Sequence, residues 1–249
     1  MLFFCFSSKD RQEIVEAVLY HITNYAIPAW YDRQKMLLGD ERNNKNFIEG
    51  VQASNYGLII LSPNSINSVC ANEELDLMYE KYRGNSMVIF PVFYNINANE
   101  IPAKYAWLKK LVYKEITTST DVRSACNHII CRILLDELNK FEIDTLDKLK
   151  RFSLIQEYDT TIYRIICSYL EIDDSNFNAK IALLYAACIY IESNYDMTNI
   201  PAYYIKGFQK LFNETKLSLT VNLREILIIE RLFLLLANTT VLCNIIKNS

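Results

Sequence analysis

The apolar run at residues 57–62, Gly-Leu-Ile-Ile-Leu-Ser, is the feature that most restricts the fold of this chain. Polar residues do not alternate with its apolar ones, which is typical of a strand in a parallel sheet that helices cover on both faces. This run is followed by a polar loop and then by the predicted start of a helix, which contains Glu73 and Glu74. Because ligands of open α/β sheets bind outside the carboxyl ends of the strands, a site is predicted here, with Glu74 in the first helical turn.

Strands and helices are predicted to alternate through the first half of the chain. The other strands are predicted up to Phe6 and at residues 26–31, 87–94 and 111–113. The first helix is expected to begin with Asp10 as its N-cap and to carry Val18 and Ile22 on its apolar face. Pro91 predicts a bulge or an edge position for its strand, because proline cannot donate to a ladder. The alternation predicts a doubly wound α/β domain over residues 1–138.

The second half of the chain, residues 139–249, shows no strand alternation and is dominated by apolar residues at helical spacing. One stripe is Ile162, Ile165, Ile166, Tyr169 and Leu170, and another is Ile181, Leu184, Tyr185 and Cys188. Turns are predicted at 173–176 and 199–201, and the whole segment is predicted to be an all-helical domain. Because its stripes must bury much apolar surface and it has no catalytic cluster, it is expected to pack on the first domain or on another subunit and to regulate assembly.

Charge and cysteine usage exclude several classes of function. A net charge of −3 disfavours nucleic acid as the main partner. The seven cysteines lack the spacing of a metal site, so no bound metal is expected. Their odd number, without a recognisable secretory leader, predicts reduced thiols and a cytoplasmic protein. No signal peptide is recognisable, and the uncharged stretch 232–246 is shorter than the ~20 residues of a membrane span, so no membrane partner is expected.

Four motifs in sequence order resemble the boxes of one family. They are residues 4–10 (Phe-Cys-Phe-Ser-Ser-Lys-Asp), 27–32 (Ile-Pro-Ala-Trp-Tyr-Asp, followed by Gly39-Asp40), 59–65 (Ile-Ile-Leu-Ser-Pro-Asn-Ser) and 90–94 (Phe-Pro-Val-Phe-Tyr). Together they resemble a TIR domain, the Toll/interleukin-receptor fold shared by immune adaptors and bacterial NAD-cleaving enzymes. The resemblance covers about half the chain and implies a flavodoxin-like doubly wound parallel sheet over residues 1–138.

The resemblance also implies a catalytic glutamate. Enzymatic members carry the pattern Ser-x-Trp-x-x-x-Glu, and residues 68–74 fit it with Cys70 in the tryptophan position. The spacing from Ser68 and the apolar positions beyond the motif favour Glu74, whereas an alignment shifted by one residue leaves Glu73 as the alternative. NAD+ would be a substrate, and no cofactor is expected.

The other binding residues are expected around the same strand ends. Phe6 or Trp30 would stack on nicotinamide, and Ser7 would bind a ribose or phosphate oxygen. The backbone at Ser8 leads into a helix N-terminus, which favours a diphosphate. Asp32 either lines the site or shapes its loop. Ser68 and Cys70 are included because they belong to the motif.

Two functions from different classes are therefore predicted. The first is an NAD+ nucleosidase that releases nicotinamide and forms ADP-ribose or a cyclic or conjugated derivative, in bacterial antiphage defence or immune signalling. Its expected partners are NAD+, further copies of itself through the TIR domain and the helical region, and a downstream effector that senses the product. The alternative is a non-catalytic scaffold that acts through TIR–TIR assembly, which the cysteine at position 70 favours.

Overall fold

The structure is a computed structural model, and it divides the chain into two compact units, Met1–Ile130 and Cys131–Ser249. It describes residues 1–141, 145–151, 153–197, 206, 207, 209–211, 213 and 223–242. The division falls within a long helix, Ser119–Leu138, and lies before the boundary at residue 138 that the sequence predicts.

A five-stranded parallel sheet forms the centre of the first unit. Its strands are β1 (Leu2–Cys5), β2 (Ala29–Trp30), β3 (Tyr56–Leu61), β4 (Val88–Tyr94) and β5 (Lys114–Ile116). They are hydrogen-bonded in the order β2-β1-β3-β4-β5, and every pair is parallel. This is the flavodoxin-like strand order, so the predicted fold class is confirmed.

Strand β3 lies in the middle of the sheet, as its apolar run predicts. All six of its residues are buried, and it pairs with β1 on one side and β4 on the other. Chain order reverses where β1 separates β2 from β3, so the carboxyl ends of these three strands meet at a topological switch point. The fold therefore places the expected ligand crevice beside the ends of β1 and β3.

The expected edge or bulge at Pro91 is wrong. Strand β4 is interior to the sheet, and Pro91 stands in regular register opposite Ile59 of β3. However, β5 pairs only with Val92–Tyr94 and begins one residue later. On that side Pro91 has no ladder partner, so its missing N–H is tolerated inside an interior strand. The fifth strand itself lies at Lys114–Ile116 instead of at 111–113.

Helices cover both faces of the sheet in the first unit. They are α1 (Glu16–Thr23), α2 (Asp32–Lys35), α3 (Pro63–Ile66), α4 (Val69–Arg83) and α5 (Ser119–Leu138). A π-helical turn at Arg11–Val15 leads into α1, a longer π-helical segment lies at Asn43–Gln52, and short 3-10 turns lie at Ser8–Asp10, Ala98–Glu100 and Ala103–Lys110. The apolar face of α1 is buried as predicted, including Val18 and Ile22. The strand predicted at 26–31 is shorter in the structure, where it spans Ala29–Trp30. Ala26, at its predicted start, adopts a left-handed backbone with φ of 58°, which is incompatible with a strand.

Asp10 stands at the N-cap position of the π-helical turn Arg11–Val15, but its side chain does not cap that turn, so the expected capping role is wrong. Ser7 caps the turn before α1, where its Oγ accepts from the N–H of Lys9 at 3.4 Å. Asp10 is fully buried and makes no cap hydrogen bond. Its carboxylate accepts instead from Ser62 Oγ and from Asn64 Nδ2 at 2.6 Å, just beyond the end of β3. Asp10 thus connects the turn after β1 to the loop after β3.

The π-helical segment packs tightly against β1 and β2. A Cβ built at Gly50 would lie 2.7 Å from Trp30 Nε1 and 2.8 Å from Phe3 Cε2, closer than real Cβ contacts allow. Glycine is therefore required for this approach, which brings the whole Asn43–Gln52 segment against the core. Asn46, on the same segment, is buried with 4% exposure.

The second unit is helical throughout its described part, as predicted. Its helices are α6 (Leu146–Arg151), α7 (Ser153–Tyr158), α8 (Thr160–Glu171), α9 (Phe177–Asn194) and α10 (Leu223–Leu236), followed by a π-helical turn at Ala237–Leu242. Most of the predicted stripe residues are buried, namely Ile162, Ile166, Tyr169, Ile181, Leu184 and Cys188. Ile165 and Tyr185 are half-buried and Leu170 is exposed, so the buried stripe of each helix is narrower than predicted. The predicted turn at 173–176 lies between α8 and α9, whereas the one at 199–201 lies outside the described residues. Among the described helices, none has the length and apolarity that crossing a membrane would require.

Candidate active site

Helix α4 begins at the loop after β3 and carries the predicted glutamate. Ser68 is its N-cap, with the N–H of Ala71 donating to Ser68 Oγ at 3.3 Å. The first helical residue is Val69, so Glu74 lies in the second turn and not in the first turn as expected. A preference of acidic residues for the first turn of a helix therefore does not explain this glutamate.

The Glu74 carboxylate is held by a short chain of hydrogen bonds that crosses from α4 to β2. Asn46 Nδ2 donates to Glu74 Oε1, and Trp30 Nε1 donates to Asn46 Oδ1 at 3.2 Å. Glu74 is half-buried, while Asn46 and Trp30 are buried. The three side chains come from α4, the π-helical segment and β2, so the tertiary fold aligns them at the carboxyl end of the sheet.

Burial raises the pKa of Glu74 from its ordinary value of 4.5 to about 7, because a shielded carboxylate is poorly solvated when charged. The hydrogen bond from Asn46, the charge of Arg42 and a contact with Cys5 oppose this rise in the pKa, and Asp32 adds to it. Strongly perturbed carboxylates of this kind mark functional sites when they face a cleft or a strand end. At neutral pH the group is divided between its charged and neutral forms.

Glu73 has a different environment from its neighbour. Its side chain is exposed and forms an ion pair with Arg42, with 2.7 Å between Arg42 Nη2 and Glu73 Oε2. Exposed pairs of this kind contribute little to stability. The two candidates for the motif's glutamate thus lie in distinct surroundings, and only Glu74 faces the strand ends.

A second cluster flanks the glutamate at the ends of β1 and β2. Phe6 and Tyr31 stack with their ring centroids 6.0 Å apart. The guanidinium of Arg11 lies over both rings, at 5.0 and 5.2 Å, and binds Asp32 through two hydrogen bonds of 2.7 and 2.6 Å. Asp32 is close enough to influence the pKa of Glu74. The structure therefore brings the predicted residues Phe6 and Asp32 to the same end of the sheet as Glu74.

The remaining predicted residues differ in how accessible they are to a ligand. Trp30 belongs to the hydrophobic core with 6% exposure, and it reaches Glu74 through Asn46. Ser7 is buried with 3% exposure, and its Oγ is used as a cap. Ser8 and Cys70 are exposed. Their roles toward a ligand stay predictions, and direct stacking by Trp30 would require its ring to become accessible.

Sequence reasoning missed several residues of this site. They are Arg11, Tyr31, Arg42 and Asn46. Tyr31 lies within the second motif, and its position at a strand end was a usable signal. Asn46 and Arg42 had no such signal, because both stand in a polar stretch of Asn, Lys, Glu and Arg in which no single residue is distinguished.

Strand order and site together define a flavodoxin-like α/β protein with a half-buried carboxylate at its switch point. The TIR domain family model matches residues 2–130, more than half of the chain. The chain therefore belongs to the TIR domain family, and the expected resemblance is confirmed.

Curated relatives of the chain carry enzyme names. It is 30% identical over 105 residues to the NAD(+) hydrolase TcpC of Escherichia coli, covering 42% of this chain and 34% of that protein. It is 27% identical over 99 residues to the 2' cyclic ADP-D-ribose synthase BtTIR of Bacteroides thetaiotaomicron, covering 40% and 34% respectively. It is 26% identical over 100 residues to AbTIR of Acinetobacter baumannii, a synthase of the same name, covering 40% and 37%. The chain thus aligns with about a third of the length of each relative.

Proposed function

We propose that this protein cleaves the bond between nicotinamide and ribose in NAD+, with Glu74 as the catalytic carboxylate. The observation that carries the proposal is the placement of Glu74, which is half-buried and hydrogen-bonded to Asn46 at the switch point of the sheet. The enzyme names of the relatives support the same reaction class.

The chemistry requires a negative charge beside the ribose. When the glycosidic bond breaks, its electron pair leaves with neutral nicotinamide and the ribose acquires oxocarbenium character. An ionised carboxylate stabilises that positive charge, as carboxylates do in glycoside hydrolysis. Glu74 performs this role in its charged form, and the partial exclusion of water strengthens the interaction. Water, or a hydroxyl or base of the same molecule, then forms the new bond to the ribose carbon.

The aromatic cluster supplies a surface for the leaving group. Phe6 is half-buried and already stacks on Tyr31, so its ring orientation is restricted before a ligand arrives. Arg11 covers both rings and is neutralised by Asp32. Nicotinamide is proposed to lie against this cluster, with the ribose toward Glu74. Ser7, Ser8, Ser68 and Cys70 are proposed to surround the rest of the molecule.

The biological setting is proposed from the same family relationship. ADP-ribose, or a cyclic or conjugated form of it, would act in bacterial antiphage defence or immune signalling, either by depletion of NAD+ or through an effector that senses the product. The protein would act in the cytoplasm, without a cofactor, and would self-associate through its TIR domain and helical unit. The product is identified by separating the reaction mixture and comparing the masses of ADP-ribose and its cyclic isomers.

The test of the proposed reaction is nicotinamide release from NAD+ by the full-length protein. Glu74→Gln is expected to abolish release, because it removes the charge and keeps the shape. Glu73→Gln is the matched control, since the neighbouring carboxylate is exposed and paired with Arg42. Retention of activity by Glu74→Gln together with its loss in Glu73→Gln would assign catalysis to Glu73.

The scaffold alternative is favoured by one observation. Cys70 occupies the tryptophan position of the enzymatic pattern and is exposed near the start of α4, where its side chain offers a ligand less surface than a tryptophan would. A scaffold would assemble equally well as wild type and as Glu74→Gln and would release no nicotinamide at any protein concentration. Light scattering and nicotinamide assays on the same two samples separate the alternatives.

A further inference from the structure

The side-chain amide of Asn46 donates directly to the Glu74 carboxylate through Nδ2. It is buried with 4% exposure, and its amide lies between an indole and a carboxylate. The indole N–H of Trp30 can only donate, so the atom of Asn46 that faces it must be Oδ1. The amide orientation is thereby determined, and Nδ2 is directed at Glu74.

We propose that Asn46, oriented by Trp30, is a positioning residue that keeps Glu74 charged and in place for the reaction. The inference rests on the proposed function, because it assigns a role in the same site. A donor on the carboxylate stabilises the charged form and not the neutral form. Without this donor, burial alone would hold Glu74 neutral over more of the physiological pH range.

The other groups around Glu74 do not replace this donor. Cys5 of β1 approaches the carboxylate but donates its Sγ–H to the carbonyl oxygen of Ala71 at 3.4 Å. Arg42 acts on Glu74 through its charge while its guanidinium is bound to Glu73. Asp32, from α2, opposes ionisation. The Cys5 thiol is a weak donor that is also directed at Ala71, so Asn46 supplies the stronger neutral donor, and its effect on the pKa of Glu74 is the larger of the two.

The packing of the π-helical segment explains why the arrangement is rigid. Gly50 stands one turn beyond Asn46, and its lack of a Cβ permits Trp30 Nε1 to approach the segment. The indole that orients the amide is held in the core with Phe3 and Val51. The hydrogen-bond chain is thus fixed by buried groups at one end and reaches the half-buried carboxylate at the other.

The experiment is a pair of titrations on the full-length protein. The first is the pH dependence of kcat/KM for NAD+, and the second is the pKa of the Glu74 carboxyl, measured by NMR on protein labelled with carbon-13 at the glutamate carboxyls. Glu74→Gln identifies the Glu74 signal by its loss. In Asn46→Ala both pKa values are expected to rise by about one unit, because a hydrogen bond to a charged group is lost. A shift of that size lowers the rate at pH 7 by roughly fivefold, and the rate recovers at high pH.

Two further variants make the test specific. Asn46→Asp keeps the shape but replaces the donor by a second carboxylate, and it is expected to raise the Glu74 pKa further than Asn46→Ala does. Trp30→Phe keeps a smaller aromatic ring and removes the N–H, and it is expected to raise the pKa of Glu74 by a smaller amount than Asn46→Ala does. The control is Asn44→Ala, an exposed asparagine of the same segment, which should leave both titrations unchanged.

The outcomes separate this inference from the proposed function. A rate that falls equally at every pH, with an unchanged Glu74 pKa in both Asn46 variants, would assign Asn46 a purely structural role and overturn the inference. A wild-type protein that releases no nicotinamide would overturn the proposed function, and the NMR titration would still decide whether Asn46 controls the charge of Glu74.

Discussion

Replacing Glu74 with glutamine is expected to stabilise the protein at neutral and alkaline pH while removing its activity. In the folded protein the pKa of Glu74 is raised to about 7, whereas an unperturbed glutamate titrates near 4.5. Between these two values the folded state holds a proton that the unfolded state has lost. The contribution of Glu74 to the free energy of unfolding therefore falls as the pH rises through this window and is constant above it.

The magnitude follows from the difference between the two pKa values. A shift of about 2.5 units corresponds to about 3 kcal/mol, reached in full above pH 7 and absent below about pH 4. Glutamine has no such titration, and its side-chain carbonyl can still accept from Asn46 Nδ2. The stability of Glu74→Gln relative to wild type is thus expected to increase by about 2–3 kcal/mol between pH 4.5 and pH 8.

Fluorescence-detected denaturation over this pH range measures the effect directly. Both tryptophans of the chain, Trp30 and Trp107, lie in the first unit, so their emission reports the unfolding of the unit that contains the site. On the same samples, nicotinamide release should fall by about 10²-fold or more, as when a charge that stabilises a transition state is removed. A stability difference that does not change with pH would refute the raised pKa, and undiminished turnover would refute the catalytic role.

Three further perturbations test how the fold supports the site. Gly50→Ala should destabilise the first unit by about 1–3 kcal/mol and lower turnover, because its Cβ would meet Trp30 Nε1; denaturant titration and the NAD+ assay measure the two effects, and unchanged values would contradict the close packing. Asp10→Ala should cost about 1–3 kcal/mol by leaving the buried hydroxyl of Ser62 without its acceptor, as measured by denaturant titration; an unchanged free energy of unfolding would contradict this role of Asp10. Truncation to residues 1–138 should change both the oligomeric state, measured by light scattering, and NAD+ turnover; a truncated protein with neither changed would rule out a regulatory helical unit.

Local patterns predicted the elements of this fold well. The uninterrupted apolar run of β3 predicted its burial on both faces, and the 3.6-residue stripes predicted the buried residues of α1 and most of those of α8 and α9. These predictions succeed because burial of a strand or a helix face depends on the periodicity of the segment itself. The motif at residues 68–74 also directed attention to Glu74, but from sequence alone Glu73 remained an alternative.

Contacts between distant segments were decided only by the tertiary structure. Asp10 had the sequence context of a helix cap, yet it binds Ser62, 52 residues away. Pro91 suggested an edge strand, and only the late start of β5 explains how an interior strand accepts it. Asn46 forms hydrogen bonds with Glu74 and with Trp30, which are 28 and 16 residues away in the sequence. A polar side chain acquires its partner when strands and helices pack, and local periodicity contains no information about which distant donor will face a buried carboxylate.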